Sequence, residues 1–106
     1  MGKEKLLFDK TEIVAIDKEN KVKNLTKDNI INVKVDNCKA GLFGKPSKRI
    51  AFKLRNEEKP LLYFRHKEKD YFGKYVDQLR KFCKENNISL SVEPDDVKSY
   101  QFPRQQ

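Results

Sequence analysis

The stretch KDYFGKYVDQLRKFCKENN, residues 69–87, has the periodicity of a long amphipathic helix. Its apolar residues recur at helical spacing, and charged residues occupy most of the positions between them. The apolar set consists of Phe72, Tyr75, Val76, Leu79, Phe82 and Cys83. The pattern predicts one helix with a single apolar stripe, which must pack against strands that precede it in the chain.

Both ends of this helix carry local signals. The carboxylate of Asp70 is suited to accept hydrogen bonds from first-turn amides and to sit at the positive end of the helix dipole. Asn86 and Asn87 are suited to end the helix, because asparagine tolerates the left-handed backbone conformation that closes a last turn.

Length and composition indicate one small folded domain. A chain of 106 residues normally forms a single core of modest size. Charged residues (38%) are as frequent as hydrophobic ones (37%), but the hydrophobic residues occur in periodic blocks that disordered chains lack. We expect residues 1–92 to form the domain and residues 93–106 to form an irregular tail.

The charge balance is strongly basic. A formal net charge of +8 indicates attraction to an anionic partner such as a lipid surface, a nucleic acid or an acidic protein face. The alternative is that a lysine-rich surface serves only solubility.

We predict no transmembrane segment, since no signal peptide or long apolar run is present. The cysteines, Cys38 and Cys83, have no metal-site or CxxC spacing, which favours a reducing cytoplasm.

The chain before the helix has the patterns of short strands. Residues 6–8 predict an edge strand or an N-terminal plug, and residues 12–16 and 21–25 predict a hairpin around the turn formers Asp17 and Asn20. In residues 30–36, Ile31, Val33 and Val35 alternate with polar residues, which predicts a strand with one buried face. Residues 37–48 contain glycines and a proline and predict a loop.

Three further strands complete the pattern. Residues 50–54 alternate, residues 61–65 are apolar on both faces and are predicted to be central or covered by the helix, and residues 88–92 predict a short terminal strand. Short strands closed by one helix indicate an α+β fold, a curled antiparallel sheet or small open barrel of about six to seven strands capped by the C-terminal helix.

This order of elements resembles the pleckstrin-homology (PH) superfold, and within it the bacterial PH-like and GRAM-like domains. The resemblance covers residues 12–87, through IVAIDKENKV at 13–22, LTKDNI at 25–30, VKV at 33–35, Tyr63-Phe64, and Tyr75, Val76 and Leu79. It implies a PH-like fold and a non-catalytic binding or scaffolding role. Phosphoinositide recognition is not implied, because acidic residues interrupt the basic positions of the first hairpin and no arginine follows.

The segment 39–55 concentrates positive charge without any acidic residue. Between its glycines lie Leu42 and Phe43, so a glycine-flanked apolar pair stands beside the cations. Such a combination fits an anionic membrane interface, and it also fits a pocket on an acidic protein partner. The predicted ligand-binding residues are Lys39, Leu42, Phe43, Lys45, Lys48, Arg49, Lys53 and Arg55.

Other interpretations remain open. Leu42 and Phe43 could instead fold back and plug the open end of the sheet. The cations together with Phe43, Phe52, Tyr63 and Phe64 could bind nucleic acid by stacking, or an exposed sheet edge could pair with another chain in an assembly. No catalytic, metal-binding or cofactor pattern is found, and we expect no enzyme. The sequence favours a cytoplasmic binding module with peripheral membrane contact as one option.

Overall fold

A computed structural model describes residues 4–40, 44–64 and 69–94 of the chain. The described ranges contain seven strands and one helix. In chain order they are β1 (Lys5–Phe8), β2 (Glu12–Ile16), β3 (Val22–Thr26), β4 (Ile30–Ala40), β5 (Lys45–Leu54), β6 (Leu61–Phe64), α1 (Lys69–Glu85) and β7 (Ser89–Val92). The α+β prediction, with the helix after most of the strands, is confirmed.

The strands form two sheets rather than one curled sheet. The first is an antiparallel meander in the order β1-β2-β3, and the second has the order β6-β5-β4-β7. Strand β7 pairs parallel to β4, which the antiparallel prediction missed. The reason is the connection: β6 and β7 run in the same direction at opposite edges of the sheet, and α1 provides the crossover that such a pair requires.

The turn between β2 and β3 follows the predicted chemistry. Oδ1 of Asp17 accepts hydrogen bonds from the amides of Glu19 at 2.8 Å and Lys21 at 2.9 Å. Asn20 adopts a left-handed conformation with φ of 65°. These bonds close the hairpin and fix its register, in which Ile16 faces Val22.

The helix buries the predicted stripe. Leu79 is fully buried, Phe72, Phe82 and Cys83 are buried, and Tyr75 and Val76 pack partly buried against the core. At the C-terminus, Asn87 has φ of 56° and the amide of Ile88 bonds to the carbonyl of Cys83 at 2.9 Å, which closes the last turn as expected. The helix begins at Lys69, so Asp70 lies within it, and the side chain of Asp70 is outside the described part.

Helix α1 connects the two sheets. The ring of Tyr75 lies 6.2 Å from the ring of Phe8 in β1 and 5.4 Å, edge to face, from the ring of Tyr63 in β6. The strands supply the rest of one continuous core, formed by Leu6, Ile13, Leu25, Ile30, Val33, Val35, Ile50, Phe52, Leu54 and Tyr63.

A bulge at the start of β4 changes the predicted pattern. Ile30 faces Leu54 and Asn32 faces Lys53, so the register shifts between them. Ile30 is therefore 3% exposed, while Ile31 is 42% exposed. The prediction that Ile31 is buried is wrong, because the extra residue moves it to the other face. Val33 and Val35 are buried as predicted.

Two other strand predictions need correction. Residues 37–48 were predicted to be a loop, but residues 37–40 belong to β4 and residues 45–48 to β5. Their small and polar residues lack apolar alternation, and they are strands because their backbones pair with each other. Strand β6 is not central: it lies at the edge of its sheet, and Leu62 is exposed.

The bulge predicts that substitutions at Ile30 and Ile31 have different effects on stability. Ile30→Ala should lower the free energy of unfolding by about 2–5 kcal/mol, because it leaves a cavity in the core. Ile31→Ala at the next position is the matched control and should change stability by less than about 0.5 kcal/mol, since Ile31 faces solvent. Chemical denaturation measures both. Equal losses for the two variants would show that the bulge is not present in solution.

Candidate functional site: the hairpin arm

The predicted basic segment, residues 39–55, includes the end of β4 and the whole of β5. Beyond the pair Asp36 and Arg49, four more residue pairs continue the ladder, from Asn37–Lys48 to Ala40–Lys45. We call this part, residues 37–40 and 45–48, the hairpin arm. The last pairs of the flanking strands are Phe64 with Arg49 and Val92 with Val35. Among the described residues, no strand accompanies the arm, which continues roughly 13 Å past them.

The base of the arm carries an ion pair. Nε of Arg49 lies 2.9 Å from Oδ1 of Asp36 across the two strands. The hydrogen bond to Asp36 raises the pKa of the Arg49 guanidinium, while burial acts in the opposite direction. The Asp36 side chain is 13% exposed and that of Arg49 is 35% exposed. Arg49 is therefore paired with a carboxylate of the same hairpin, and its role in ligand binding stays a prediction.

Glu93 ties the arm to the end of β7. Its amide bonds to the carbonyl of Val35 at 2.8 Å, and its Oε1 accepts a hydrogen bond from the amide of Asn37 at 2.9 Å. The carbonyl of Glu93 accepts a bond from Nζ of Lys48 at 2.7 Å. The Asn37 side chain also donates to the carbonyl of Pro94. Lys48 is buried here, so it serves as a support for the arm rather than as a surface cation.

The far end of the arm is the part that faces solvent. Lys39 and Pro46 face each other there, and both are exposed. Gly44 has φ of 64°, a conformation that a residue with a side chain rarely adopts, and it begins the return into β5. Leu42 and Phe43 lie outside the described residues, as does the side chain of Lys45.

The remaining predicted residues lie away from the arm. Lys53 is exposed near the opposite end of β5, on the face turned away from the core. Arg55 follows the strand; its amide bonds to the carbonyl of Asn29 and its Nε donates to the carbonyl of Asp28 at 3.0 Å. The structure thus separates the predicted set into the far end of the arm, a supporting base, and cations at or just after the opposite end of β5.

Sequence reasoning missed Asn37 and Glu93. Asn37 fell in the predicted loop, and Glu93 fell in the predicted irregular tail. No sequence pattern links two polar residues that are 56 positions apart. Only the parallel pairing of β7 with β4 brings them together.

The described residues can also be compared with what nucleic-acid binding, metal binding and a membrane-spanning helix would require. Phe52 and Tyr63, which the nucleic-acid interpretation needed as stacking rings, are buried in the core. Within residues 4–40, 44–64 and 69–94, no group of metal-ligating side chains is arranged to hold an ion. No helix in these ranges has the length and apolar character to cross a membrane.

The clamp made by Glu93 can be tested by hydrogen exchange. Glu93→Ala removes the charged acceptor of the Asn37 amide, so exchange at that amide should accelerate by roughly tenfold or more. Glu58→Ala, which changes an exposed carboxylate on the connector before β6, is the control and should leave Asn37 protected. Equal protection of Asn37 in both variants would show that Glu93 does not hold the arm.

The cysteines give a second test. Both are free thiols, Cys38 half-buried and Cys83 buried, and burial raises the pKa of Cys83 to about 11. At about pH 8, iodoacetamide should therefore modify Cys38 in the folded protein much faster than Cys83, because the thiolate is the nucleophile. Unfolding in denaturant should make both react, as intact mass would show. Equal rates in the folded protein would contradict the burial of Cys83.

The same shift predicts a pH effect on stability. The pKa of Cys83 is higher in the folded state than in the unfolded state, so burying its neutral thiol favours folding below the unfolded pKa. This contribution is lost as the pH rises through about 11. Cys83→Ala should remove that part of the alkaline loss of stability.

Comparisons of the chain with protein-family models, with curated proteins and with solved structures each found no match. A function for this chain must therefore be argued from the geometry and chemistry of its own residues.

Proposed function

We propose that this chain is a non-catalytic binding module with a PH-like or GRAM-like fold, and that the distal end of its hairpin arm contacts an anionic membrane surface from the cytoplasm. The observation that carries the proposal is the extension of the β4–β5 ladder past β6 and β7. The arm places the exposed Lys39 at the far end of a hairpin whose base is tied by the Asp36–Arg49 ion pair and by Glu93.

The order of elements supports the PH-like part of the proposal. An antiparallel meander is followed by a second set of strands and by a helix that packs on the core of both sheets. Strand β7, which follows the helix, is an addition to the pattern that the resemblance implies.

A hairpin is suited to such a contact. The backbone groups that point inward pair between its two strands, and those that point outward can bond to water, so it can project without a third strand. The sequence Gly41-Leu42-Phe43 lies between its strands, and Lys39 and Lys45 adjoin it. Leu42 and Phe43 supply apolar side chains for the acyl boundary, while each nearby lysine contributes about 1 kcal/mol at an anionic surface.

The size of the exposed end favours a membrane over a folded protein partner. A stable protein interface needs about 800 Å² on each side. The two inner residue pairs of the arm contain Ser47 and Lys48, and both of these residues are buried. Only the last two pairs of the arm therefore extend beyond its buried part. A lipid surface needs no complementary shape, so a small cationic and apolar contact is sufficient for reversible binding.

Vesicle flotation tests the proposal. The chain should float with vesicles containing phosphatidylserine and not with vesicles of phosphatidylcholine alone. Lys39→Gln should reduce binding by about fivefold, the equivalent of one lost lysine at the surface. Lys53→Gln makes the same charge change at the other end of β5 and should leave binding nearly unchanged. Leu42→Ser/Phe43→Ser should abolish flotation at moderate salt.

Three results would overturn this function. Equal effects of Lys39→Gln and Lys53→Gln would show general attraction by net charge without a role for the arm. Flotation that persists in the Leu42→Ser/Phe43→Ser variant would remove the apolar contact. Failure to float with anionic vesicles, together with binding to nucleic acid at low salt, would assign the cations to a different class of partner.

A further inference from the structure

A cleft of about 440 Å³ opens between the two sheets. Strand β3 is the last strand of the first sheet and β6 is the last strand of the second, and both line the cleft. Its volume falls within the range of ligand-binding sites. No residue of the hairpin arm lines it, so it is a separate site.

The interior and edges of the cleft are mainly apolar. Leu6 and Tyr63 are buried at its inner side, and Ala15 lies beside them on β2. At its edges, Val22 is 60% exposed and Leu62 is 36% exposed. Two exposed aliphatic side chains that face one cleft provide a place for an apolar group of a ligand.

Glu4 provides a buried hydrogen-bond acceptor at the cleft that has no donor among the described residues. It lines the cleft, its carbonyl accepts a hydrogen bond from the hydroxyl of Tyr63 at 3.1 Å, and its Oε1 is buried. Among the described residues, no group donates a hydrogen bond to this oxygen. A buried acceptor of this kind costs free energy unless it is paired, so a ligand with an N–H donor would gain by binding here.

Two of the lysines at the cleft have no ion-pair partner among the described residues. Asp17 uses Oδ1 to bind backbone amides of its own turn, and Lys23 pairs with Glu57. Lys5 and Lys21 are exposed and line the same cleft. They remain available for carboxylates placed beside the apolar group.

We propose that this cleft binds an extended acidic peptide segment of a partner protein. One apolar side chain of the peptide lies between Val22 and Leu62, a backbone N–H donates to Glu4, and flanking carboxylates pair with Lys5 and Lys21. An extended peptide supplies all three groups within a few residues, since successive side chains and amides alternate along it. The net charge of +8 disfavours a second copy of the chain as the occupant.

The experiment uses the full chain and a phage-displayed library of random peptides. Selection should enrich peptides in which an apolar residue is flanked by Asp or Glu. A fluorescent form of the enriched peptide then serves as the probe in anisotropy titrations. Val22→Asn/Leu62→Asn should weaken its binding by about tenfold or more, because the apolar contact is lost. Leu7→Asn, which changes an exposed leucine outside the cleft, should have little effect.

A second pair of variants tests the charges. Lys5→Gln/Lys21→Gln should weaken binding and reduce its dependence on salt. Lys10→Gln/Lys27→Gln removes the same charge at the opposite end of the first sheet and should bind like the original chain. Circular dichroism and thermal melting would establish that all four variants are folded, and these exposed positions make that the expected result.

Several outcomes would overturn the inference. They are the absence of any enriched peptide, enrichment of basic or uncharged peptides, and binding that responds equally to the cleft variants and their controls. A dimer in sedimentation that Val22→Asn/Leu62→Asn dissociates would assign the cleft to a second copy. Loss of vesicle binding in arm variants has no bearing here, so the two sites are tested independently.

Discussion

The structure depends on the packing of one helix against two sheets that share no hydrogen-bonded strand pair among the described residues. Backbone ladders stabilise each sheet, and packed side chains hold the two sheets together. Leu79 is fully buried in the shared core, and the Tyr75 ring contacts Phe8 from the first sheet and Tyr63 from the second. Because burial of apolar surface is the main favourable term in folding, neither sheet has a complete core without α1.

The same arrangement explains why the molecule has a cleft. The helix covers the sheets where Phe8, Tyr75 and Tyr63 meet, and β3 and β6 end their sheets with no pairing between them. The space between these strands is therefore lined by side chains and is not bridged by a hydrogen-bonded ladder among the described residues. Its exposed aliphatic side chains and the buried Glu4 oxygen make it chemically unlike the described part of the arm, although both sites carry lysines.

The hairpin arm shows how support and exposure are divided along one pair of strands. Near the core, Arg49 is paired with Asp36, and Lys48 binds the Glu93 carbonyl. These cations fix the direction of the arm. Farther out, Lys39 faces solvent. Charges of the same sign in one segment thus have different roles, because burial and available partners differ at each position.

The sequence by itself determined the elements whose cause is local. Helical spacing located α1 and its buried face, Asp17 and Asn20 located the β2–β3 turn, and Asn87 located the end of the helix, because each signal acts within a few residues. Only the tertiary structure decided the rest. The bulge exposes Ile31, the parallel β7 brings Glu93 to Asn37, and the arm is a ladder rather than a loop. These features arise from pairing between distant segments, and residue periodicity within one segment does not identify the segment with which it pairs.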